Sequence, residues 1–415
     1  MASWFKKPGS EHLAAPAPVS SFSLPNGRVG QAYRLELASL IPRFKAALAL
    51  EAPAASGLAL DGSEITGTPL AAGEFSLQLR YLAQGQEQSS LARLQLAVVQ
   101  DPKNLWKNLP SDSAGLFASA DTQVQQQAGL IGASTRGRSH AHVGGYRDDA
   151  FAIEALASGW QIVIVADGAG SARYSRRGAE LICQTAASSL RAQLTGPIAD
   201  SLSASSRAWA QEPQSEELQQ RLKTQLAALL GQAAYQALAA IHAQASELAD
   251  SQVKDFASTA LIGLCRHFPT DGRGPGGSLC ACYWVGDGAA AVYSQGRGVR
   301  LLGLGDSGEF AGQTRFLDAS AVSNEVITQR TCFAWAEDLT AFILMSDGVS
   351  DAKFPTAASL ASLPHWDTLW AELNPLLSGV GAAEALLEWL NFWSPGNHDD
   401  RTLVLALPPG QKEPL

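Results

Sequence analysis

The sequence is short of cysteine, of charge and of long apolar runs. Its five cysteines (Cys183, Cys265, Cys280, Cys282, Cys332) are odd in number and scattered over 415 residues. Cys280 and Cys282 enclose a single residue where metal or redox pairs usually enclose two, so neither a disulfide framework nor a thiolate zinc site is indicated. Reduced thiols in a cytoplasm are the plainer expectation. Only 17% of the residues are charged and the net charge is −9, which removes the basic face that a nucleic-acid binder uses to displace counterions. No run approaches the twenty or so apolar residues of a membrane span, and the first twelve residues, MASWFKKPGSEH, lack the apolar segment of a signal peptide. A soluble, cytoplasmic chain is expected. With 46% apolar residues its composition is that of ordinary globular material, long enough for two or three domains.

The texture changes along the chain. Residues 1–18, rich in Pro, Ala and Ser, read as a flexible tail. From 19 to 100 the apolar residues alternate, as in Tyr33, Leu35, Leu37, in Phe75, Leu77, Leu79, Tyr81 and in Leu94, Leu96, Val98, with turns such as PNG and AAGE between them. Period two with turn chemistry predicts antiparallel strands. LPNGRVGQAYRLEL and GLALDGSEITGTPLAAGEFSLQLRY resemble the immunoglobulin-like modules of many bacterial proteins, which implies a small all-β sandwich without chemistry of its own. Residues 101–127 show neither period and read as a linker. From 128 to 408 strand-like runs alternate with helical segments, and 409–415 form a second tail. A helix is predicted near 177–194. After a polar break a longer one starts at a Ser215 cap, with Leu218, Leu222, Leu226 and Leu229 on one face.

The chemistry lies at strand ends. WQIVIVADGAG and TAFILMSDGVSD are both apolar strands ending in Asp-Gly, at Asp167 and Asp347. Burying a carboxylate there costs several kcal/mol unless a cation or hydrogen bonds compensate. Asp148 and Asp149 in GGYRDDAFAI, and Asp399 and Asp400 in GNHDDRTLVLAL, sit just before two further strands. If the four edges converge, an oxygen-only donor set selects Mg²⁺ or Mn²⁺ over zinc, and a pair of such ions activates water against a phosphoester. Taken singly, each Asp-Gly is an ordinary turn.

The ordered set GGYRDDAFAI, VADGAG, STALIG, VGDGAA, MSDGVSD and NHDDRTLVL resembles the PP2C-type metal-dependent protein serine/threonine phosphatases, bacterial branch, over about residues 128–408. The resemblance implies an α+β fold, an α-β-β-α sandwich of two antiparallel sheets flanked by helices, here preceded by the immunoglobulin-like sandwich. It implies two or three Mn²⁺ or Mg²⁺ ions and a phosphorylated protein as substrate, with a serine/threonine kinase of the same pathway as a partner. Asp149, Asp167, Asp347 and Asp399 would be catalytic ligands together with the Gly168 carbonyl; Asp148 would act through water, and Asp287 and Asp351 would hold a third ion. The sequence departs from the family at two positions. Gly144 stands where members carry a phosphate-binding arginine, and Ala169 where some carry a histidine acid. Arg138, Arg147, His140 or the loop residues Arg173, Arg176 and Arg177 are the candidates for the missing cation.

Blander readings stand beside these. The loop arginines serve equally as a solvated helix entry. His140 and His142 would share a face of an extended segment, yet two histidines without a third ligand make a weak metal site. Trp209, Trp335, Trp366, Trp370, Trp389 and Trp393 are expected to pack in cores. The lost arginine and histidine motivate an alternative function, an inactive phosphoprotein-binding scaffold. A haloacid-dehalogenase-type phosphotransferase is disfavoured, because its second aspartate would fall at Ala169. Residues 296–330 are expected to form a flap beside the cleft.

Overall fold

The computed structural model describes residues 19–112, 115–271, 274–303 and 314–409. The expected N-terminal tail, the end of the C-terminal tail and the middle of the expected flap lie outside the described residues. The chain divides into two compact units, Met1–Trp106 and Lys107–Leu415.

Among the described residues the first unit is all-β apart from one-turn helices. Its strands are β1 (Ser20–Ser23), β2 (Gly27–Arg28), β3 (Tyr33–Glu36), β4 (Phe44–Glu51), β5 (Leu58–Asp61), β6 (Glu64–Gly67), β7 (Gly73–Ala83) and β8 (Ser90–Val99), with helix α1 (Leu37–Leu40) after β3. One sheet runs β1-β8-β7-β4, with β2 also on β8, and a second runs β3-β6-β5. Alternation in β7 and β8 turns Leu77, Leu79, Tyr81, Leu94, Leu96 and Val98 into one core, joined by Leu37 and Ile65.

The second unit contains β9 (Thr122–Gln127), β10 (Leu130–Thr135), α2 (Arg138–Val143), β11 (Ala150–Ala155), β12 (Trp160–Ala166), α3 (Ser175–Gln193), α4 (Gly196–Gln211) and α5 (Glu216–Glu247). These are followed by β13 (Ala260–Phe268), β14 (Gly277–Val285), β15 (Ala289–Ser294), β16 (Gly298–Leu301), α6 (Asn324–Arg330), β17 (Thr331–Ala336) and β18 (Ala341–Met345). The chain ends with α7 (Asp347–Lys353), α8 (Ala357–Leu360), α9 (Leu363–Leu373), α10 (Ala382–Leu390) and β19 (Arg401–Ala406). Two antiparallel sheets, β16-β15-β18-β19-β10-β9 and β11-β12-β13-β14-β17, form the layers.

Both faces of each sheet are covered, which is why WQIVIVA is apolar on both faces, apart from Gln161, rather than alternating. In β12, Val163 and Val165 face Phe342, Leu344 and Val404 of the other sheet, while Ile162 and Ile164 face a cluster containing Ile182, Leu226 and Leu230 of α3 and α5. On the outer face of the sheet that holds β18 and β19, Trp366, Trp370 and Leu386 of α9 and α10 pack against Ile343, Leu403 and Leu405. Trp209, Trp366 and Trp370 are buried, as expected, whereas Trp335 and Trp389 only flank the clusters.

Three local expectations are corrected. The polar break after α3 is α4, whose Ala199, Leu202, Ser205, Ser206 and Trp209 are buried; small residues mark its inner face, so it lacked a hydrophobic signal. Helix α5, capped by Ser215 as expected, is by length and composition apolar enough to cross a membrane, although the sequence showed no uninterrupted apolar run; 56% of that window is buried within the protein. Residues 122–127, read as linker, form edge strand β9. Its TQVQQQ lacks an apolar face because its glutamines work across the sandwich. Gln123 and Gln125 donate to the carbonyls of Phe151 and Ile153 (3.0 and 3.1 Å), and Gln127 donates to Ile153 (3.3 Å) while accepting from the Ala155 N–H (2.9 Å). These side chains satisfy the open edge of β11. The double substitution Gln123→Ala/Gln125→Ala is expected to cost about 1 kcal/mol per lost bond, read as a lower urea midpoint; an unchanged midpoint would show that the ladder contributes nothing.

Candidate active site

The strand register brings the acids together. Ala150 pairs with Ala166, so Asp149 and Asp167 lie just beyond the same end of β11 and β12. Ala260 pairs with Val285, placing Asp287 beyond that end of β14, and Ala289 pairs with Met345, placing Asp347 beside it. Asp399 and Asp400 immediately precede β19, which runs antiparallel to β18. Four sequence-distant edges thus meet at one end of the sandwich.

Carboxylate oxygens of Asp167, Asp287 and Asp347 all lie within 4.8 Å of one another. Asp287, which the resemblance assigned to a third ion, therefore stands in one group with Asp167 and Asp347, while the Asp351 carboxyl on the exposed side of α7 is raised by burial and by Asp287. A second group joins His140, Asp399 and Asp400 within the same limit. Asp149 is buried between the two groups in charge terms, feeling Asp400 and Asp399 and acting on Asp167.

Burial and like charge set the electrostatics. Burial first, then Asp149 and Asp347, hold the Asp167 carboxyl well above the carboxylate range. Burial also pushes Asp347 up to about 7, against a hydrogen bond from Asp167 that lowers it. Asp149 is held high by burial and by Asp400, while its Oδ2 accepts from Ser346 Oγ (2.8 Å) and Thr402 Oγ1 (2.6 Å). Asp149 Oδ1 and Asp347 Oδ1 are buried with no hydrogen-bond partner. Clustered carboxylates with orphaned oxygens are costly unless a cation sits among them.

The residues present fit hard divalent cations. Every donor in the group of Asp167, Asp287 and Asp347 is oxygen, and neither cysteine nor histidine belongs to it. Gly168 closes the site from behind: a Cβ there would lie 2.8 Å from the Asp148 carbonyl and 2.9 Å from Ser175, so only glycine lets this backbone approach so closely. Thr259 and Ser258 hold the Asp167 backbone, the Thr259 hydroxyl accepting from Asp167 N (2.9 Å) and the Ser258 hydroxyl donating to its carbonyl (2.7 Å).

The cations proposed from sequence are distributed differently. Arg138 donates to the carbonyls of Asn391 and Phe392 (2.9 and 3.3 Å) and lies over the Trp393 ring. Arg147 is 4% exposed, with two nitrogens unpartnered, and faces Asp149 and Asp400 from within the protein. Arg173 lies over Tyr174, and Arg177 is bound to Gln244 and Glu180. His140 and Arg176 both reach Asp148, at 3.8 and 3.6 Å. His140 also donates through Nδ1 to Asp400 (3.0 Å), and that bond, against burial, raises its pKa to about 9.

His140 and His142 do not share a face of an extended segment. They lie on helix α2, where residues two apart point in nearly opposite directions, and His142 Nδ1 instead accepts from the Lys107 N–H. At Gly144 the backbone is left-handed, with φ of +74°, and a Cβ would stand 3.1 Å from the Pro110 carbonyl. Residues 107–112 pack here, with Leu109 and Asp112 amides donating to the Ala141 and Gly144 carbonyls, so a side chain at position 144 would be crowded and its backbone strained.

Asp400 carried no role in the family resemblance. Its two oxygens accept from the Gly137 and Asp148 amides (2.6 and 2.5 Å) and from His140, tying α2, the Asp148–Asp149 edge and the start of β19 together. Ser346 and Thr402 were likewise unmarked; the Ser beside an Asp-Gly strand end was the available signal.

The fold is an α-β-β-α sandwich with a cluster of oxygen donors at one end. The family model described as Protein phosphatase 2C matches residues 136–391, more than half of the chain, and the chain belongs to that family. The match includes Asp149, Asp167, Asp287 and Asp347 and stops short of Asp399. No curated protein matches the chain. Among solved structures it is similar to the serine/threonine phosphatase Stp1 from Staphylococcus aureus, at 14% identity and a TM-score of 0.38, covering 73% of this chain and 100% of that one. It is also similar to the S. agalactiae serine/threonine phosphatase (13% identity, TM-score 0.37, 68% of this chain and 98% of that one). A third similar structure is the PP2C phosphatase domain, with a fragment of the regulatory domain, of the cell fate determinant SpoIIE from Bacillus subtilis (11% identity, TM-score 0.36, 81% and 79%).

Proposed function

We propose that the chain hydrolyses phosphoserine and phosphothreonine on protein substrates with Mn²⁺ or Mg²⁺ held by Asp167, Asp287 and Asp347. The observation that carries this reading is the approach of those three carboxylates to one another, with an unpartnered Asp347 oxygen among them. When bound, the ions would supply Lewis acidity toward the phosphoryl oxygens and a water acidified enough to attack phosphorus.

The protein's own groups do the rest. Ser346 and Thr402 fix the Asp149 carboxylate and leave its second oxygen directed to the site. Asp399 lies exposed at the rim beside His140. His140 and Arg176, gathered around Asp148, take the place of the family arginine that Gly144 lacks and orient the anionic phosphate by charge-assisted hydrogen bonds. Buried Arg147 offsets the field of Asp149 and Asp400 from inside and takes no part in contacting substrate.

The test is phosphate release by the full chain from p-nitrophenyl phosphate and from a phosphothreonine peptide, with and without Mn²⁺. Release from both that requires added Mn²⁺ and stops with chelator is expected. No release from either would leave the non-catalytic, phosphoprotein-binding reading in its place.

A further inference from the structure

Four of the five cysteines lie on three adjacent strands, at positions that phosphoryl chemistry does not use. Cys265 of β13 stands directly opposite Cys280 of β14, and their Sγ atoms are 3.7 Å apart in the layer between the sheets. Antiparallel neighbours at this register have the Cα separation that a disulfide spans, so closing the sulfurs to bonding distance needs side-chain rotation rather than a change of fold.

Cys265 also has a polar line to the surface. Its Sγ lies 3.8 Å from His267 Nε2, which donates to Gln161 Oε1 (3.1 Å), while His267 Nδ1 is 2.7 Å from Ser278 Oγ. Gln161, paired with Cys265 across β12 and β13, lines a cavity of about 750 Å³ together with Gln127, Gly129, Ile131 and Leu407. This cavity lies at the opposite end of β12 from Asp167. The contacts from Cys265 to His267 and from His267 to Gln161 connect the thiol to this cavity.

We propose that Cys265 and Cys280 form a reversible disulfide by reaction with a hydroperoxide that enters through this cavity. The Cys265 thiolate attacks the peroxide, forming an S–O bond as the O–O bond breaks, and the departing oxygen leaves as water or alcohol after taking a proton. The thiolate of Cys280 then attacks Sγ of Cys265. The S–O bond breaks, and hydroxide leaves with the Cys280 proton as a second product water. Two thiols lose two electrons in all, and one hydroperoxide gains them.

The environments of the two sulfurs suit these roles. Burial pushes the Cys265 thiol up, but hydrogen bonds with Cys280 and His267 outweigh it and bring the value down to about 6, whereas Cys280 is held well above the ordinary thiol value. The thiolate is the attacking species, so Cys265 reacts first and Cys280 resolves. The other facing pair, Cys282 and Cys332, is poorly disposed, because the Cys282 thiol donates to the Tyr283 carbonyl (3.4 Å).

The test treats the reduced full chain with a tenfold excess of hydrogen peroxide, alkylates it in denaturant and analyses it by mass spectrometry. Two of the five cysteines are expected to escape alkylation. The tryptic peptide ending at Arg266 should be joined to the one beginning at Gly274, and dithiothreitol should separate them. A Cys282→Ala chain should give the same link, and His267→Leu should slow its formation about tenfold, as thiolate population falls. Alkylation of all five thiols, a sulfenic acid trapped on Cys265 without the link, or a Cys282–Cys332 link instead would overturn the proposal.

Discussion

Asp167→Asn is expected to raise the melting temperature of the metal-free protein and, in the same molecule, to weaken Mn²⁺ uptake and cut phosphatase turnover by roughly a hundredfold or more. The two effects have one cause. Asp167 lies close to Asp287 and Asp347, and burial, Asp149, Asp347 and Asp399 all oppose its charge. Asparagine keeps the shape and spares the proton that this carboxyl must take up on folding at neutral pH, so the metal-free fold should gain about 1–2 kcal/mol, the size common for relief of a functionally strained site. The cation loses a carboxylate ligand, and the several kcal/mol it contributes to a phosphoryl transition state shrink by at least the equivalent of that hundredfold. Differential scanning calorimetry without metal and titration calorimetry with Mn²⁺ check the two halves separately. A variant that is destabilised without metal would mean that the carboxylates are structural.

Gly348→Ala carries the second large effect. This residue follows Asp347 in α7, and a Cβ on it would lie 1.9 Å from the carbonyl oxygen of Asp400 and 3.0 Å from its carbonyl carbon. No side-chain rotation relieves an overlap with backbone. The start of β19 must therefore move away from α7, taking Asp399, Asp400 and the Thr402 hydroxyl that holds Asp149. Overpacking of this kind costs about 1–3 kcal/mol, and Mn²⁺ affinity should fall with it. Gly298→Ala is the control, because nothing stands within 4 Å of the added carbon. Equal melting temperatures and equal Mn²⁺ affinities for the two variants would contradict the packing described here.

Much of the second unit was legible because both faces of its sheets are buried. AFILM is an unbroken apolar run for that reason and WQIVIVA is broken only by Gln161, and a carboxylate at the end of each is conspicuous against them. The convergence of the acids was not legible from periodicity, since it depends on which strands pair. Only the order of the short motifs, read as a family resemblance, pointed to it. The same limit hid how the acids divide: Asp287 joins Asp167 and Asp347, while Asp399 joins His140 and Asp400. Side chains that act across the fold left no periodic trace, as with Gln123, Gln125 and Gln127 on β11. Helix α2 was missed because RSHAHV carries too little apolar pattern over six residues. The packing of residues 107–112 over Gly144, which crowds a side chain there, involves backbone groups that a sequence does not distinguish.

The most direct measurement is anomalous diffraction at the manganese edge from crystals of the full chain soaked in Mn²⁺. Peaks within bonding distance of the carboxylates of Asp167, Asp287 and Asp347 are expected. A well-ordered site at this end of the sandwich with no manganese peak, or manganese bound only elsewhere on the protein, would contradict the account.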